Sequence, residues 1–249
     1  MAGAMARGWA GAERRPQRML FYDLEGERAR ALAAEAGGEV AESLTALRDE
    51  ADVLLLATKP AALEAVAGEL EGRAPALLSV LAVTPLERLG AAFPGVPALR
   101  VMPNQPVEVR RGVLCYAAGP GMEGHLREGL VGLLEALGDV VEMPEERIAA
   151  AMAVMSCAPA YVALFAEALA DAGVREGLDP KLAARLFARL VRETFAGTAE
   201  LLRARDPAAV RTAVAPPGGA TERGLNALRA ERVPEAIEAA VRASLEYLP

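Results

Sequence analysis

Apolar runs alternate with amphipathic stretches over the first half of the chain. The apolar runs are short and typical of buried strands, and the stretches between them repeat apolar residues with the period of a helix. The runs that predict strands are 18–23, 52–60, 75–81, 97–103, 112–119 and, after a predicted helix at 122–137, 139–144. Strands that alternate with helices in this way predict a doubly wound, mostly parallel α/β sheet with helices on both faces.

Beyond Pro144 the pattern predicts helices alone. The pairs Asp179-Pro180 and Asp206-Pro207 predict two helix starts, because Asp caps a helix and Pro suits its first turn. Long faces rich in Ala and Leu indicate a helical domain that dimerises. We therefore divide the chain into an α/β domain, 1–145, and an all-α domain, 146–249.

A stretch of this second domain, 148–166, has no charged residue and meets the length rule for a membrane span. However, Pro159 interrupts it, and Glu167 and Asp171 follow directly. We interpret the stretch as a pair of helices buried in a soluble core.

Composition excludes several kinds of partner and site. The 249 residues carry a net charge of −7 without a basic cluster, which argues against nucleic acid and anionic membranes. Cys115 and Cys157 form no disulfide framework, and we predict no metal site. The single histidine, His125, falls on a predicted exposed helix face. Because the first residues show no apolar signal segment, we expect a cytoplasmic protein.

The opening residues, MAGAMARGWA, look like the second half of a glycine-rich nucleotide loop that runs into a helix. Gly3 would be the second glycine of this loop, but Met1 stands in place of the first. Asp23 ends the strand predicted at 18–23, about twenty residues on, where an acidic side chain binds ribose hydroxyls. We expect that the first strand of the sheet is missing because the true start lies upstream. Asp23 could instead cap the following helix.

Two turns after predicted strands carry polar side chains. Lys59 in LATKP could approach a phosphate or be an ordinary turn residue. In RVMPNQP, two prolines bracket Asn104 and Gln105, whose amides suit the carboxamide of a nicotinamide. A proline-stiffened loop without a ligand is the alternative.

The segment VAPPGGATERGL leads from two prolines and two glycines into a helix. We expect the N–H groups of Gly219, Ala220 and Thr221 to be free, so that they can bind a small carboxylate at the helix N-terminus. The alternative is a Gly-Gly turn in which Thr221 is the N-cap.

Four segments, LLLATKP, RVMPNQP, APAYVALFAEALADAGVREGL and PPGGATERGL, together resemble the pyrroline-5-carboxylate reductase family over essentially the whole chain. The resemblance implies a Rossmann domain, a helical dimerisation domain and a homodimer or higher homo-oligomer. It also implies hydride transfer from NAD(P)H to 1-pyrroline-5-carboxylate or a similar small cyclic imino acid, giving L-proline.

The resemblance also implies site residues. With Asp23, the expected cofactor-binding residues are Gly3, Ala4, Met5, Ala57, Thr58, Lys59, Pro60, Ala82, Asn104 and Glu145. The substrate carboxylate would be held by Pro217, Gly218, Gly219, Ala220 and Thr221 of the partner subunit, and Thr221, or a water that it orients, would supply the proton. We expect NADH to be favoured, because Asp23, Glu25 and Glu27 would repel the 2′-phosphate of NADPH.

The chain departs from the family pattern at several positions. Pro216 replaces a serine, Met155-Ser156-Cys157-Ala158 replaces Ser-Gly-Ser-Gly, Gln105 replaces a threonine and Val83 replaces a glycine. These changes support an alternative, a non-catalytic dimeric relative with an impaired nucleotide site. A hydroxyacid dehydrogenase is a further rival; it would need a lysine in the helical domain, where the one lysine, Lys181, falls near a predicted helix start.

Overall fold

The computed structural model describes residues 1–246, without the side chains of residues 180–188. Its contacts divide it into two units. The α/β unit is formed chiefly by Met1–Pro159, and the helical unit by Ala160–Ser244. The predicted division at residue 145 stays a prediction, and the side chain of Lys181 lies outside the part that the structure describes.

Within residues 1–246, seven strands form two sheets. The strands are β1 (Leu20–Phe21), β2 (Glu39–Val40), β3 (Leu54–Leu56), β4 (Leu77–Ser79), β5 (Ala98–Pro103), β6 (Gly112–Ala118) and β7 (Gly138–Glu142). β1 and β2 form a parallel pair, and the other five form one sheet in the order β3-β4-β5-β6-β7. The structure thus confirms the predicted α/β class, while the hypothesis of an upstream strand stays a prediction.

The larger sheet changes direction once. β3, β4 and β5 are mutually parallel, β6 is antiparallel to β5, and β7 is parallel to β6. The connection from β5 to β6 contains a 3₁₀ helix, Gln105–Val109, and is too short for the crossover of a dozen or more residues that a parallel return requires. The sheet is therefore mostly, not wholly, parallel.

Seven helices belong to the described part of the α/β unit. They are α1 (Ala2–Ala10), α2 (Gly26–Ala36), α3 (Leu44–Glu50), α4 (Leu63–Glu69), α5 (Leu86–Ala92), α6 (Gly124–Glu135) and α7 (Ile148–Met155). Local chemistry sets several ends. The Ser43 hydroxyl accepts a hydrogen bond from the Ala46 amide at 3.0 Å and caps α3. Gly37 ends α2 with φ +74°, a conformation that favours glycine.

Helices continue through the rest of the chain. They are α8 (Ala158–Arg175), α9 (Pro180–Ala204), α10 (Pro207–Ala213), α11 (Ala220–Ala230) and α12 (Val233–Glu246). The predicted start at Asp206-Pro207 is confirmed, since Asp206 Oδ1 accepts from the Ala208 amide at 2.8 Å. α9 likewise begins at Pro180, as predicted.

The core of the α/β unit lies on both faces of the larger sheet. Leu99 and Val101 of β5 point to a face that α1 and α6 cover, and Leu77 and Ala98 pack with α4 and α5 on the other. α1 is tied to this core by Trp9, whose indole N–H donates to the Leu133 carbonyl at 2.7 Å.

The apolar stretch at 148–166 is not buried as predicted. Ile148 and Ala153 are buried, but Val154, Leu164 and Phe165 are exposed. By length and composition, one continuous helical segment among the described residues, Glu145–Arg175, could cross a membrane, and only 11% of its apolar window is buried. The expectation of a buried helix pair was wrong for the single chain, because apolar periodicity does not reveal which molecule covers a helix.

Candidate functional site

The segments that follow β3, β4 and β5 lie at one edge of the larger sheet, because these three strands are parallel. This edge carries the predicted segment Ala57–Pro60 after β3, Ala82 after β4 and Asn104 after β5. Ligands of doubly wound sheets bind at the carboxyl ends of the strands. The fold therefore brings three of the predicted cofactor segments to the edge where a cofactor would bind.

The segment after β3 is open to solvent. Ala57, Thr58 and Lys59 are exposed, and Pro60 begins a 3₁₀ helix. The Thr58 hydroxyl donates to the Lys59 carbonyl at 3.3 Å, and Arg88 donates to the Pro60 carbonyl at 3.4 Å. These hydrogen bonds fix the backbone of the turn at the Lys59 and Pro60 carbonyls, while the side chains of Ala57, Thr58 and Lys59 stay accessible.

Gly3, Ala4 and Met5 lie in the first turn of α1 and not, as the sequence predicted, in a loop that precedes the helix. The amides of such a turn lack acceptors within the helix and attract anions. The side chains of Ala4 and Met5 are both buried, but the Met5 amide already donates to the Met1 carbonyl at 3.1 Å. Gly3 and Ala4 are therefore the better placed of the three toward a phosphate.

Arg7 is a residue of this region that the sequence analysis missed. Its guanidinium lies beside Gly3 and binds Glu108 at 2.9 Å and Glu35 at 3.2 Å. The hydrogen bond from Arg7 lowers the pKa of the Glu108 carboxyl, and the same bond raises the pKa of Arg7. This network could not be predicted, because the position of a residue in a helix does not show where its long side chain points.

Asp23 is exposed and follows β1. Its Oδ1 accepts from the Glu25 amide at 2.8 Å, so the carboxylate stabilises the turn that enters α2, although Glu25 and not Asp23 is the N-cap. The cation of this turn, Arg28, pairs with Glu25 at 2.9 Å. The surface around Asp23 therefore keeps its negative character.

Asn104 is buried and structurally engaged. Its Oδ1 accepts from the Val113 amide at 2.9 Å, and its Nδ2 donates to the Met155 carbonyl at 3.0 Å. The side chain thus joins β5 to β6 and to the end of α7. Gln105 is exposed and donates to Glu108 at 2.8 Å. A nicotinamide contact of Asn104 would use its second Nδ2 hydrogen and stays a prediction.

Glu145 is half-buried and receives two short bonds. Its Oε1 accepts from Arg100 Nη1 and from the Leu86 amide, both at 2.7 Å. Arg100 is 8% exposed in the middle of β5 and is a second residue that the sequence analysis missed. Leu86 begins α5, directly after the loop that contains Ala82.

The turn at Pro217–Thr221 is exposed in the helical unit, except for a half-buried Gly219. Gly218 has φ +78°, which only glycine adopts readily, and its amide donates to Glu222 Oε2 at 2.7 Å. α11 begins at Ala220 with Gly219 as its N-cap, so Thr221 is not the N-cap. The amide of Gly219 is not free as predicted, because the preceding turn closes by its bond to the Pro216 carbonyl at 3.0 Å.

Two family models match the chain. The model described as "Pyrroline-5-carboxylate reductase dimerisation" matches residues 145–248, and "NADP oxidoreductase coenzyme F420-dependent" matches residues 1–83. The chain is 36% identical to the pyrroline-5-carboxylate reductase of Thermus thermophilus over 249 residues, covering 97% of this chain and 91% of the relative. It is 39% identical to that of Synechocystis over 197 residues, covering 78% and 72%.

Solved structures agree with these matches. The 1-pyrroline-5-carboxylate reductase of Streptococcus pyogenes has a TM-score of 0.88 at 25% identity, covering 99% of this chain and 93% of that one. The pyrroline carboxylate reductase of Plasmodium falciparum, with NADP bound, has a TM-score of 0.86 at 25% identity, covering 98% and 91%.

Together, the fold and these matches define an oxidoreductase with a Rossmann-like nucleotide domain and a helical dimerisation domain. More particularly, the chain belongs to the pyrroline-5-carboxylate reductase family.

Proposed function

We propose that the protein reduces the C=N bond of 1-pyrroline-5-carboxylate, or of a similar small cyclic imino acid, with NAD(P)H to give L-proline. The observation that carries this proposal is the joint match of a nucleotide-dependent oxidoreductase model to residues 1–83 and of the reductase dimerisation model to residues 145–248. The open segments at the carboxyl edge of the sheet support it.

The residues at this edge fit a dinucleotide. The first-turn amides of Gly3 and Ala4 suit a phosphate, and the exposed Asp23 suits ribose hydroxyls. Ala57–Lys59 and Ala82 offer accessible backbone after β3 and β4. When bound, NAD(P)H supplies the hydride that the imine carbon accepts.

The substrate would be held by the turn at Pro217–Thr221. The carboxylate takes the amides of Ala220 and Thr221 at the start of α11, where the helix dipole favours an anion. The ring nitrogen, which becomes an amine, takes its proton from Thr221 or from a water that Thr221 orients. Within the residues that the structure describes, no group of three His, Cys, Asp or Glu side chains could hold a metal ion.

We infer a homodimer or a higher homo-oligomer that forms through the helical unit. The dimerisation model covers the mostly exposed apolar segment Glu145–Arg175, and a second copy of the chain would cover its exposed side chains. A cytoplasmic location without membrane or nucleic-acid partners belongs to the same proposal.

The activity is tested by following the decay of NADH or NADPH absorbance at a fixed enzyme concentration after racemic pyrroline-5-carboxylate is added. We expect oxidation of the cofactor that depends on the imino acid and yields proline. Cofactor binding without turnover would instead favour the non-catalytic relative, and turnover of a 2-hydroxy acid would favour a dehydrogenase.

NADH should be the better cofactor. Arg28 pairs with Glu25 and Arg30 pairs with Glu27, so each of these cations is already matched by an acidic residue of the same helix region. A 2′-phosphate near Asp23 would therefore meet repulsion that these two paired cations do not offset. We expect a lower KM for NADH than for NADPH, and Asp23→Ser should narrow the difference in KM, whereas Glu69→Gln at the exposed end of α4 should not. A lower KM for NADPH in the unaltered protein would contradict this preference.

A further inference from the structure

The loop after β4 contains a strained residue. Val83 has φ +56°, in the left-handed region. The other non-glycine residues with positive φ in the described chain are Glu71, Arg110 and Arg232, so Val83 is the one β-branched residue among them. A β-branched side chain in this region is a true outlier, and such residues persist only where their surroundings force the conformation.

Contacts on both sides of Val83 hold the loop. Leu81 is buried, and its amide lies 3.4 Å from Ser79 Oγ. Thr84 is fully buried, and its hydroxyl donates to the Ala82 carbonyl at 3.1 Å. Between these anchors, Ala82 is exposed and Val83 is half-buried. The loop therefore presents its backbone at the carboxyl edge of the sheet from two fixed ends.

An ion pair fixes the far end of the loop. The Leu86 amide donates to Glu145 Oε1, and the same oxygen accepts from Arg100. Arg100 is buried, and its Nε has no hydrogen-bond partner among the described atoms. Because a buried guanidinium is costly unless it is paired, Arg100 holds the Glu145 carboxylate in place, and Glu145 in turn holds Leu86.

We propose that Arg100 is a positioning residue for dinucleotide binding. Through Glu145 and Leu86, it keeps the loop Ala82–Pro85 in the conformation that places Val83 in the left-handed region, and this loop contacts the bound dinucleotide. The inference rests on the proposed function, since it takes the carboxyl edge of the sheet to be the cofactor site. It adds a cause for the shape of that site, namely a charge buried in the neighbouring strand.

Rescue by glycine tests this role. In Arg100→Met, we expect the Leu86 end to loosen, Val83 to relax to negative φ, and the Kd for NADH to rise about tenfold, within the range for coupled residues. In Val83→Gly, the loop adopts positive φ without strain; because residue 83 lies in the binding loop itself, the Kd of this variant is the reference for the double variant. In the double variant, glycine should remove most of the tenfold loss. Isothermal titration calorimetry gives the Kd for NADH of the unaltered protein, of both single variants and of the double variant.

A merely structural role of Arg100 predicts a different result, because a damaged core would not be rescued by a glycine in the loop. An equal loss of NADH affinity with Val or Gly at position 83 would overturn the proposal, as would an unchanged Kd in Arg100→Met. If Arg100→Met fails to fold, Arg100→Lys takes its place, with a smaller loss that Val83→Gly should again remove.

Hydrogen exchange gives a readout that needs no ligand. The Leu86 amide should exchange faster in Arg100→Met than in the unaltered protein, while the Leu89 amide inside α5 should change little. Equal exchange of the Leu86 amide in the two proteins would overturn the proposal that Arg100 holds Leu86 through Glu145. If the unaltered protein binds no dinucleotide, the proposed function is overturned. The exchange comparison alone would then show whether Arg100 holds Leu86 in place.

Discussion

The two units of the molecule bury their apolar residues to very different degrees. Large side chains such as Leu77, Leu99 and Phe93 are fully buried in the α/β unit. In the described part of the helical unit, Val210 is the one buried hydrophobic residue, while large apolar side chains of several helices are exposed. Those on α8 alone are Val162, Leu164, Phe165 and Leu169.

This difference separates a unit that completes its own core from one that does not. Several large apolar side chains exposed on one helix usually mark an interface. Contacts inside the helical unit, such as the edge-on pair of Phe165 and Phe195 at 6.2 Å, leave large apolar side chains of several helices exposed. The helical unit therefore offers apolar surface that a second molecule could cover, in keeping with its match to a dimerisation domain.

The largest effect should come from a charge on that surface. Leu164 is 66% exposed in the single chain, so an aspartate there disturbs little within the chain itself. In an oligomer it would be buried without a partner, which is costly. We expect Leu164→Asp to weaken association by about 4 kcal/mol, a roughly thousandfold higher Kd. Sedimentation should show a shift toward monomer.

Val109 provides the matched control, since it is 63% exposed but lies in the α/β unit. Val109→Asp should leave the oligomer intact. Equal assembly of both variants would contradict a partner on α8, and an unaltered protein that stays in solution only with detergent would assign the helix to a membrane instead.

The sequence predicted the class of the fold because its signals are local. Asp206 and Pro207 mark a helix start by their own chemistry, and the apolar run that includes Leu77 is short and flanked by proline. β2, at Glu39–Val40, escaped prediction because its two residues are exposed and form no apolar run. The apolar stretch around Leu164 was misjudged because its burial is not decided within the chain.

Site residues were predicted less completely, for a related reason. Glu145 was named from the resemblance, but its bond to Arg100 joins residues that lie 45 positions apart, and no spacing rule reveals such a pair. The left-handed conformation of Val83 likewise depends on anchors on both sides of the loop. Asn104 was predicted to bind the cofactor through its side-chain amide. In the structure, its Nδ2 donates to the end of α7 and its Oδ1 accepts from β6.

The next largest effect should be the loss of activity on substitution of Thr221, an exposed residue of the helical unit. Thr221 lies in the first turn of α11, without a cap role that would tie it to folding. If its hydroxyl contacts the substrate, Thr221→Val should cost about 1.5–3 kcal/mol of transition-state stabilisation, as for a hydrogen bond to a charged group. This loss lowers kcat/KM roughly 10- to 150-fold. The melting temperature should hardly change. Steady-state kinetics with pyrroline-5-carboxylate measures the loss.

Thr212→Val is the matched control in the same unit, because the Thr212 hydroxyl donates only to the Ala208 carbonyl of its own helix at 2.9 Å. Its kinetics should equal those of the unaltered protein. A Thr221→Val enzyme with full kcat/KM would reduce the Pro217–Thr221 segment to an ordinary turn.

The smallest effect should come from the surface network of the α/β unit, whose stability rests on its core. Arg7 joins α1 to α2 and to the 3₁₀ helix through Glu35 and Glu108, but all three side chains are about one-third exposed or more, so water screens the pairs. We expect Arg7→Met to lower the Tm only slightly at pH 7. The change should also be coupled to Glu108, so that Glu108→Gln adds little once Arg7 is gone.

The pH dependence of this small change has a definite sign. Arg7 lowers the pKa of Glu108 in the folded protein below its value in the unfolded chain. The pair therefore stabilises the fold above the unfolded pKa of about 4.3, and this contribution disappears as the pH falls through the lowered folded value. Melting curves of the unaltered protein and of Arg7→Met should accordingly differ most at neutral pH and converge once the pH has fallen well below the unfolded pKa of Glu108. A difference in Tm that stays constant down to that pH would mean that Arg7 acts by the packing of its aliphatic stem, and not by its charge.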